Sequence, residues 1–486
     1  MSKYVSKSNK FFKGVVIKLD VRTIHKLSPT KCKIIERLFV YRSLTPYQVF
    51  FLLNPDNIPL TYPHFSWELL NLPKMRSIWN QLAQMQKNGI IQVAARLSND
   101  MKVLTLSEEG LSVAYSLLDI PEIEGYHNSG WNNEYGYFPY ELYRPPKERL
   151  QKHHNLGIDF NVLMELLAIK HSFTFDFIDN RYASVEFTST DDNTKMEVTK
   201  IFRPDGEFII RPNGSDKKFH CWVEFDMGTE KGKLLYEKFS KYNQFLSYLT
   251  QGVDRNSLAT SMPNTIFFVT TARQNIWSRW QNILRNYLNA VGNWSTYLNM
   301  YVGNIESLEN LVLSFINEDE IFKSRLNLNL RPLLNDQAFI GQPKPSESLV
   351  NASSLSSFCY LYGNEMKILG WEPYFTVTRT KTNEHQVFLY VKFDEYETGG
   401  ISKAIDFALK FSTIESMKRI NAIQVIPVLI FSDKKPHSLD FIGCNQKVEF
   451  DCIFDKYLWH DVSENKWFDK KGRHIESNPL NLFLDE

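Results

Sequence analysis

A chain of 486 residues exceeds what one hydrophobic core ordinarily supports, so its length points to about three domains. Its 43% apolar and 23% charged residues exclude a disordered chain, and a net charge of +1 excludes a uniformly basic surface, so any polyanion must be met by a local patch. Five scattered cysteines, odd in number and without a CxxC pair, exclude a disulfide framework and a sequence-coded zinc site and fit a reducing cytoplasm. No run reaches the roughly 18 apolar residues that cross a bilayer. The first ten residues also lack the apolar centre of a signal peptide. The expectation is a cytoplasmic protein with no membrane partner.

After an N-terminal arm (residues 1–27), apolar side chains at helical spacing predict a helix over Pro29–Tyr41, with Ile34, Ile35, Leu38 and Phe39 inward. Thr45 and Pro46 are a helix cap and a first-turn proline, opening a second helix to about Leu53. A third runs from Met75 to Asn88, with Ile78, Leu82 and Met85 on one face, and stops at Gly89. Two short strands joined at Ser98–Asp100 follow, and Ser107 starts another helix. Three helices, a hairpin and a closing helix are the order of a winged helix-turn-helix, assigned to residues 28–120. Its third helix and wing present Lys74, Arg76, Lys87, Arg96 and Lys102 as candidate phosphate contacts on double-stranded DNA. Docking of another protein is the alternative use of such a domain.

Residues 121–148, rich in Gly, Asn, Tyr and Pro, read as a linker. From residue 149 a long helix carries His153, His154 and Glu165, and strands are predicted at Ser184–Phe187 and Met196–Phe202. A Pro204-Asp205-Gly206 turn then leads into Phe208–Ile210 and Phe219–Asp226. Side chains alternate along a strand, so Glu224 and Asp226 share a face, with Asp205 at the head of the neighbouring strand. Three converging carboxylates suit Mg²⁺ or Mn²⁺ and phosphodiester chemistry; the bland reading is a solvated strand end paired with lysines. A helix over Gly232–Leu249, with Leu234, Leu235, Phe239, Phe245 and Leu246 inward, a strand at Thr265–Thr270 and a helix from Gln274 complete an order that resembles restriction-endonuclease-like domains (149–330). That fold usually presents Asp and then Glu-x-Lys. Here Asp226 stands at the Lys position, and Lys238 on the next helix is the candidate substitute.

The winged-helix order, the His-Asn helix start, the Pro-Asp-Gly turn, Val223-Glu224-Phe225-Asp226-Met227-Gly228-Thr229 and the trailing Lys238 and Tyr242 resemble the replication-relaxation family over roughly residues 28–290. The resemblance implies a role in replication or mobilisation of a bacterial plasmid or integrative element, with other proteins of that machinery as partners. It also implies Tyr242 as the attacking group if the activity is of relaxase type.

A linker at 331–357 precedes a C-terminal α/β domain (358–486), in which Phe388–Asp394 and Val425–Phe431 echo Phe219–Asp226 and Thr265–Thr270. In that echo Lys392 replaces Glu224, so the domain reads as a degenerate repeat or as a coincidence of strand-turn-helix-strand order. The expected fold class is therefore a multidomain α+β and α/β protein: a winged helix-turn-helix, a restriction-endonuclease-like mixed sheet with flanking helices, and an α/β domain. The expected function is a DNA-binding replication or mobilisation factor. A Mg²⁺-dependent nicking endonuclease or relaxase with Asp205, Glu224, Asp226 and Lys238 as its residues is one alternative, and a winged-helix transcription regulator is another. The absence of a GxxxxGK loop excludes a P-loop motor.

Overall fold

Hydroxyl caps and first-turn prolines set the N-terminal helices. In the computed structural model a hairpin of β1 (Val15–Lys18) and β2 (Ile24–Leu27) leads into α1 (Pro29–Tyr41), where the Ser28 Oγ accepts from the Lys31 amide at 3.3 Å. Helix α2 (Pro46–Leu53) opens with a reciprocal box: the Thr45 amide donates to Gln48 Oε1 at 2.8 Å and the Gln48 amide to Thr45 Oγ1 at 3.3 Å. Helix α3 (Pro73–Lys87) ends at Gly89, whose φ of 73° lies in the left-handed region, and β3 (Ile91–Arg96) pairs antiparallel with β4 (Lys102–Leu106). Helix α4 (Glu108–Leu118) is capped by Ser107 and crosses so close to the strand that a Cβ on Gly110 would lie 1.9 Å from the Ile90 carbonyl oxygen. These elements lie where the sequence predicts them. Ile34, Ile35, Leu38, Phe39, Ile78, Leu82 and Met85 are all buried in one core.

The structure describes residues 15–18, 24–55, 73–97, 100–121, 137–146, 148–190, 197–228, 230, 232–250, 262–271, 276–317, 375–379, 385–392, 396–400, 422–431, 458–461, 466–469 and 473–476. The expected linker at 331–357 lies outside them, as do residues 1–14 of the expected arm. The chain divides into two compact units: Met1–Thr229 with Tyr248–Ala272 and Asn304–Glu309, and Glu230–Ser247 with Arg273–Gly303 and Asn310–Glu486. Among the described residues no helix is long and apolar enough to cross a membrane.

In the first unit, α5 (Tyr140–Tyr143) and α6 (Glu148–Lys170) follow the N-terminal helices. Then come β5 (Phe173–Asp179), a single-turn α7 (Asn180–Ala183), β6 (Val185–Thr190), β7 (Glu197–Phe202), β8 (Gly206–Pro212), β9 (Phe219–Asp226) and β10 (Thr265–Thr270). In the mixed sheet, β8 lies antiparallel between β5 and β9, and β9 runs parallel to β10. Two strand pairings lie outside what the sequence predicts. The strands at 184–187 and 196–202 exist as β6 and β7, but they pair with each other in a separate ribbon, because alternation fixes a strand's faces and not its neighbour. The Phe208 strand instead gains an unpredicted partner in β5, whose Phe173, Phe175 and Phe177 alternate with Thr174, Asp176 and Ile178.

Helix α6 covers the sheet face that carries Phe175, Phe208 and Phe225. The Phe160 ring lies 5.6 Å from Phe208 and 5.5 Å from Phe225, and a Cβ on Gly157 would come within 2.9 Å of the Phe225 ring. The opposite side of α6 ties to the N-terminal helices. Gln48 Nε2 donates to Asp159 at 2.7 Å, Arg37 pairs with Glu165 at 2.6 Å, and the Tyr41 hydroxyl also bonds Glu165. Glu165 thus joins the helices to α6 and is structural. Burial, followed by the Glu165 charge, raises the Tyr41 phenol well above its usual range, so this hydroxyl stays a donor.

Beside these contacts lies a buried charged cluster that sequence reasoning overlooked. Arg181, 3% exposed, pairs with Asp179 at 2.6 Å and sits over the Phe138 ring, 4.8 Å from its centroid. Arg42, at φ 65°, donates to the carbonyls of Leu142, Tyr143 and Arg144. Burial would raise the Asp179 carboxyl, but Arg181 and Arg42 outweigh it and hold the value at about 2. His154 lies 3.0 Å from Ser43 Oγ; burial and then the Arg42 charge push its imidazole down to about 3. A histidine whose folded value is depressed contributes stability above its unfolded value near 6.5 and loses it as pH falls toward about 3. His154→Gln keeps a polar group near Ser43 without the titration, so its acid-unfolding midpoint, followed by circular dichroism, is expected below that of the parent. Coincident midpoints would contradict this account of the cluster.

In the second unit, α8 (Lys233–Leu249) buries Leu235, Phe239, Tyr242, Phe245 and Leu246. Leu234, expected inward, is 58% exposed in the first turn of the helix. Phe239 meets Tyr287 of helix Ile276–Val291 edge-on at 5.4 Å, and the Asn243 amide donates to the Ala290 carbonyl at 2.9 Å. The strand β11 (Asn299–Gly303) receives Thr398, whose hydroxyl accepts from the Met300 amide at 2.8 Å. A C-terminal sheet runs in the order β12 (Phe375–Arg379), β13 (His385–Lys392), β14 (Ala422–Phe431), β15 (Leu458–Asp461), β16 (Lys466–Asp469) and β17 (His474–Ile475). Within it β13 is antiparallel to β12 and parallel to β14, the pairing that β9 makes with β8 and β10.

Candidate nucleic-acid interface and acidic strand end

Helix α3 has the sequence Pro-Lys-Met-Arg-Ser-Ile-Trp-Asn-Gln-Leu-Ala-Gln-Met-Gln-Lys, without a single carboxylate. Met75, Ile78, Leu82 and Met85 fix which side faces the core. The opposite side is left to Arg76, Ser77, Asn80, Ala83, Gln84 and Lys87, all exposed, with Lys74 exposed at one flank. Of the five predicted basic contacts, α3 therefore displays Lys74, Arg76 and Lys87. Arg96 and Lys102 face each other across the β3–β4 ladder, where Lys102 is half-buried and Arg96 pairs with Asp100 at 2.8 Å. That pair is exposed on both sides and holds Arg96 weakly.

At the other candidate site the register places Glu224 beside Phe268 and Asp226 beside Thr270, so both acids project from the face opposite Phe225. Both are buried: Glu224 is 3% exposed and Asp226 fully enclosed, its Oδ2 accepting from the Thr270 hydroxyl at 2.8 Å. Asp205 does sit at the strand head, as expected, with its Oδ2 accepting from the Phe225 amide at 2.8 Å. His153, from the helix that covers the Phe225 face, holds its Nε2 3.2 Å from that carboxylate and 3.0 Å from the Phe225 carbonyl. His153 thus draws Asp205 toward α6, whereas Glu224 and Asp226 turn the other way.

The expected Mg²⁺ or Mn²⁺ cage of Asp205, Glu224 and Asp226 consequently does not fit this arrangement. Among the described residues no group of three or more His, Cys, Asp or Glu side chains is placed to hold a metal ion. Lys238, the candidate substitute for the missing lysine, belongs to the second unit and lies 3.5 Å from Glu230. Tyr242 is 1% exposed, packed in its helix's apolar stripe rather than presented to a phosphate. The same sheet face carries two further polar pairs, Glu207 with His220 and Asp176 with Arg211.

No family model matches the chain, and no curated protein matches it. Among solved structures, the restriction endonuclease FokI aligns at 13% identity and a TM-score of 0.19, over 59% of this chain and 44% of that one. The chain thus spans less than half of that protein's length, and a likeness this slight carries no argument.

Proposed function

We propose that this protein is a duplex-DNA-binding factor that serves replication or mobilisation of a plasmid or integrative element. In this reading α1–α4 with β3 and β4 act as a winged helix-turn-helix, and α6 with the mixed sheet is a restriction-endonuclease-like fold that stiffens it. The observation that carries the reading is the carboxylate-free exposed side of α3, where Arg76 and Lys87 bracket uncharged amides. A polyanion meets cations at Lys74, Arg76 and Lys87 and no carboxylate of the helix itself, although the chain as a whole carries only +1. The C-terminal sheet, with its echo of the β8–β9–β10 pairing, is then a second copy in which Lys392 replaces Glu224.

The strand-end acids support holding over cutting, since Asp205 and Asp226 each accept from a protein donor that stabilises the sheet. The test incubates the full chain with linear duplex and with supercoiled plasmid at low salt in Mg²⁺. Retarded duplex, plasmid that stays supercoiled, and the same retardation by Asp205→Ala are expected. Failure to retard duplex would overturn the proposal, and plasmid nicking that disappears in Asp205→Ala would replace it with the nicking endonuclease.

A further inference from the structure

We infer that α3 reads base sequence in the major groove, with Asn80 and Gln84 as the residues that set specificity; this rests on the DNA-binding reading above. Arg76, Asn80, Gln84 and Lys87 follow one another at i, i+4, i+8 and i+11, which keeps them on one line down the helix. That line lies diametrically opposite the buried Met75, Ile78, Leu82 and Met85, so it is the side of α3 turned away from its core and exposed.

The charges occupy the two ends of the line and the neutral amides its centre. A helix lying in a major groove meets phosphates at the groove's two walls and base edges along its floor. Terminal cations with central amides match that division. A surface built only for phosphates would gain from lysine or arginine at positions 80 and 84, and a solvated surface without a ligand would ordinarily mix in carboxylates. Neither pattern is present.

The chemistry also names the base. A carboxamide offers one donor and one acceptor side by side, which matches N7 and N6 of adenine and not the paired acceptors of guanine. Ala83, exposed one turn from Asn80, leaves room there for the thymine methyl of an A·T pair. The inferred target is duplex DNA with at least one fixed A·T pair under Asn80 or Gln84, flanked by phosphates held by Arg76 and Lys87.

The experiment selects bound sequences from duplexes with a randomised core, using the full-length protein and its Asn80→Ala/Gln84→Ala variant. Both residues are exposed, so unchanged thermal melting is expected and is checked first. The parent is expected to enrich a motif with a fixed A·T pair. On that motif the variant should lose about ten- to a hundredfold in affinity, with a distinctly smaller loss on unselected duplex, so that the ratio between the two falls. Duplex binding with no enriched motif, or the same motif enriched by the variant, would overturn the inference and leave the proposed function standing. No duplex binding by the parent would remove both.

Discussion

Replacing Arg76 and Lys87 together with glutamate is expected to weaken duplex-DNA binding at least about a hundredfold at moderate salt. Each substitution removes a cation from the proposed phosphate-binding line and adds a repelling charge, and both sit at the exposed ends of a helix without a carboxylate of its own. The residues bear no core load, so the melting temperature should hold. The salt dependence should also flatten, because fewer counterions are released on binding. Fluorescence anisotropy across a salt series measures both quantities. Unchanged affinity with an unchanged slope would mean that DNA, if bound, is bound elsewhere.

The largest stability effect is expected at Arg181→Ala, about 3–5 kcal/mol in urea unfolding of the full chain. The guanidinium is almost wholly enclosed, its Nε lies 2.6 Å from Asp179, and the Phe138 ring lies against it. Truncation leaves the buried Asp179 carboxylate without its nearest positive charge, with Arg42 and the backbone amide at position 181 remaining to compensate it. Asp179→Asn combined with Arg181→Met should recover most of the loss, since asparagine still accepts from the Arg181-position amide that Asp179 caps and methionine fills the space. A double variant no better than Arg181→Ala would show that packing against Phe138, and not the ion pair, carries the energy.

The legible parts of this chain are those governed by neighbours in sequence. Thr45-Pro46 and Ser107 announce their helices because a cap bonds within its own first turn. The alternation of β9 likewise placed Glu224 and Asp226 on one face. β5 carried an equally clear alternation of phenylalanines, and that signal could have identified it.

What stayed hidden depends on residues far apart. Nothing local to Asp205 says that His153 will draw it toward α6, so convergence with Glu224 was the natural reading and geometry overrode it. Arg42, Asp179 and Arg181, the charges that surround His154, escaped notice for a related reason: charged residues without periodicity look like solvated surface until the fold encloses them. Membership of β6 and β7 in a ribbon of their own was unreadable because the pattern of a strand is silent about its partner.

Lysine footprinting tests the central claim most directly. The full-length protein is acetylated with and without linear duplex at low salt, and protection is mapped by mass spectrometry. Lys74 and Lys87 of α3 are expected to become protected, with Lys102 of the hairpin following them. Protection confined to lysines outside α3 and β4, with Lys74 and Lys87 reacting as in the free protein, would contradict the account.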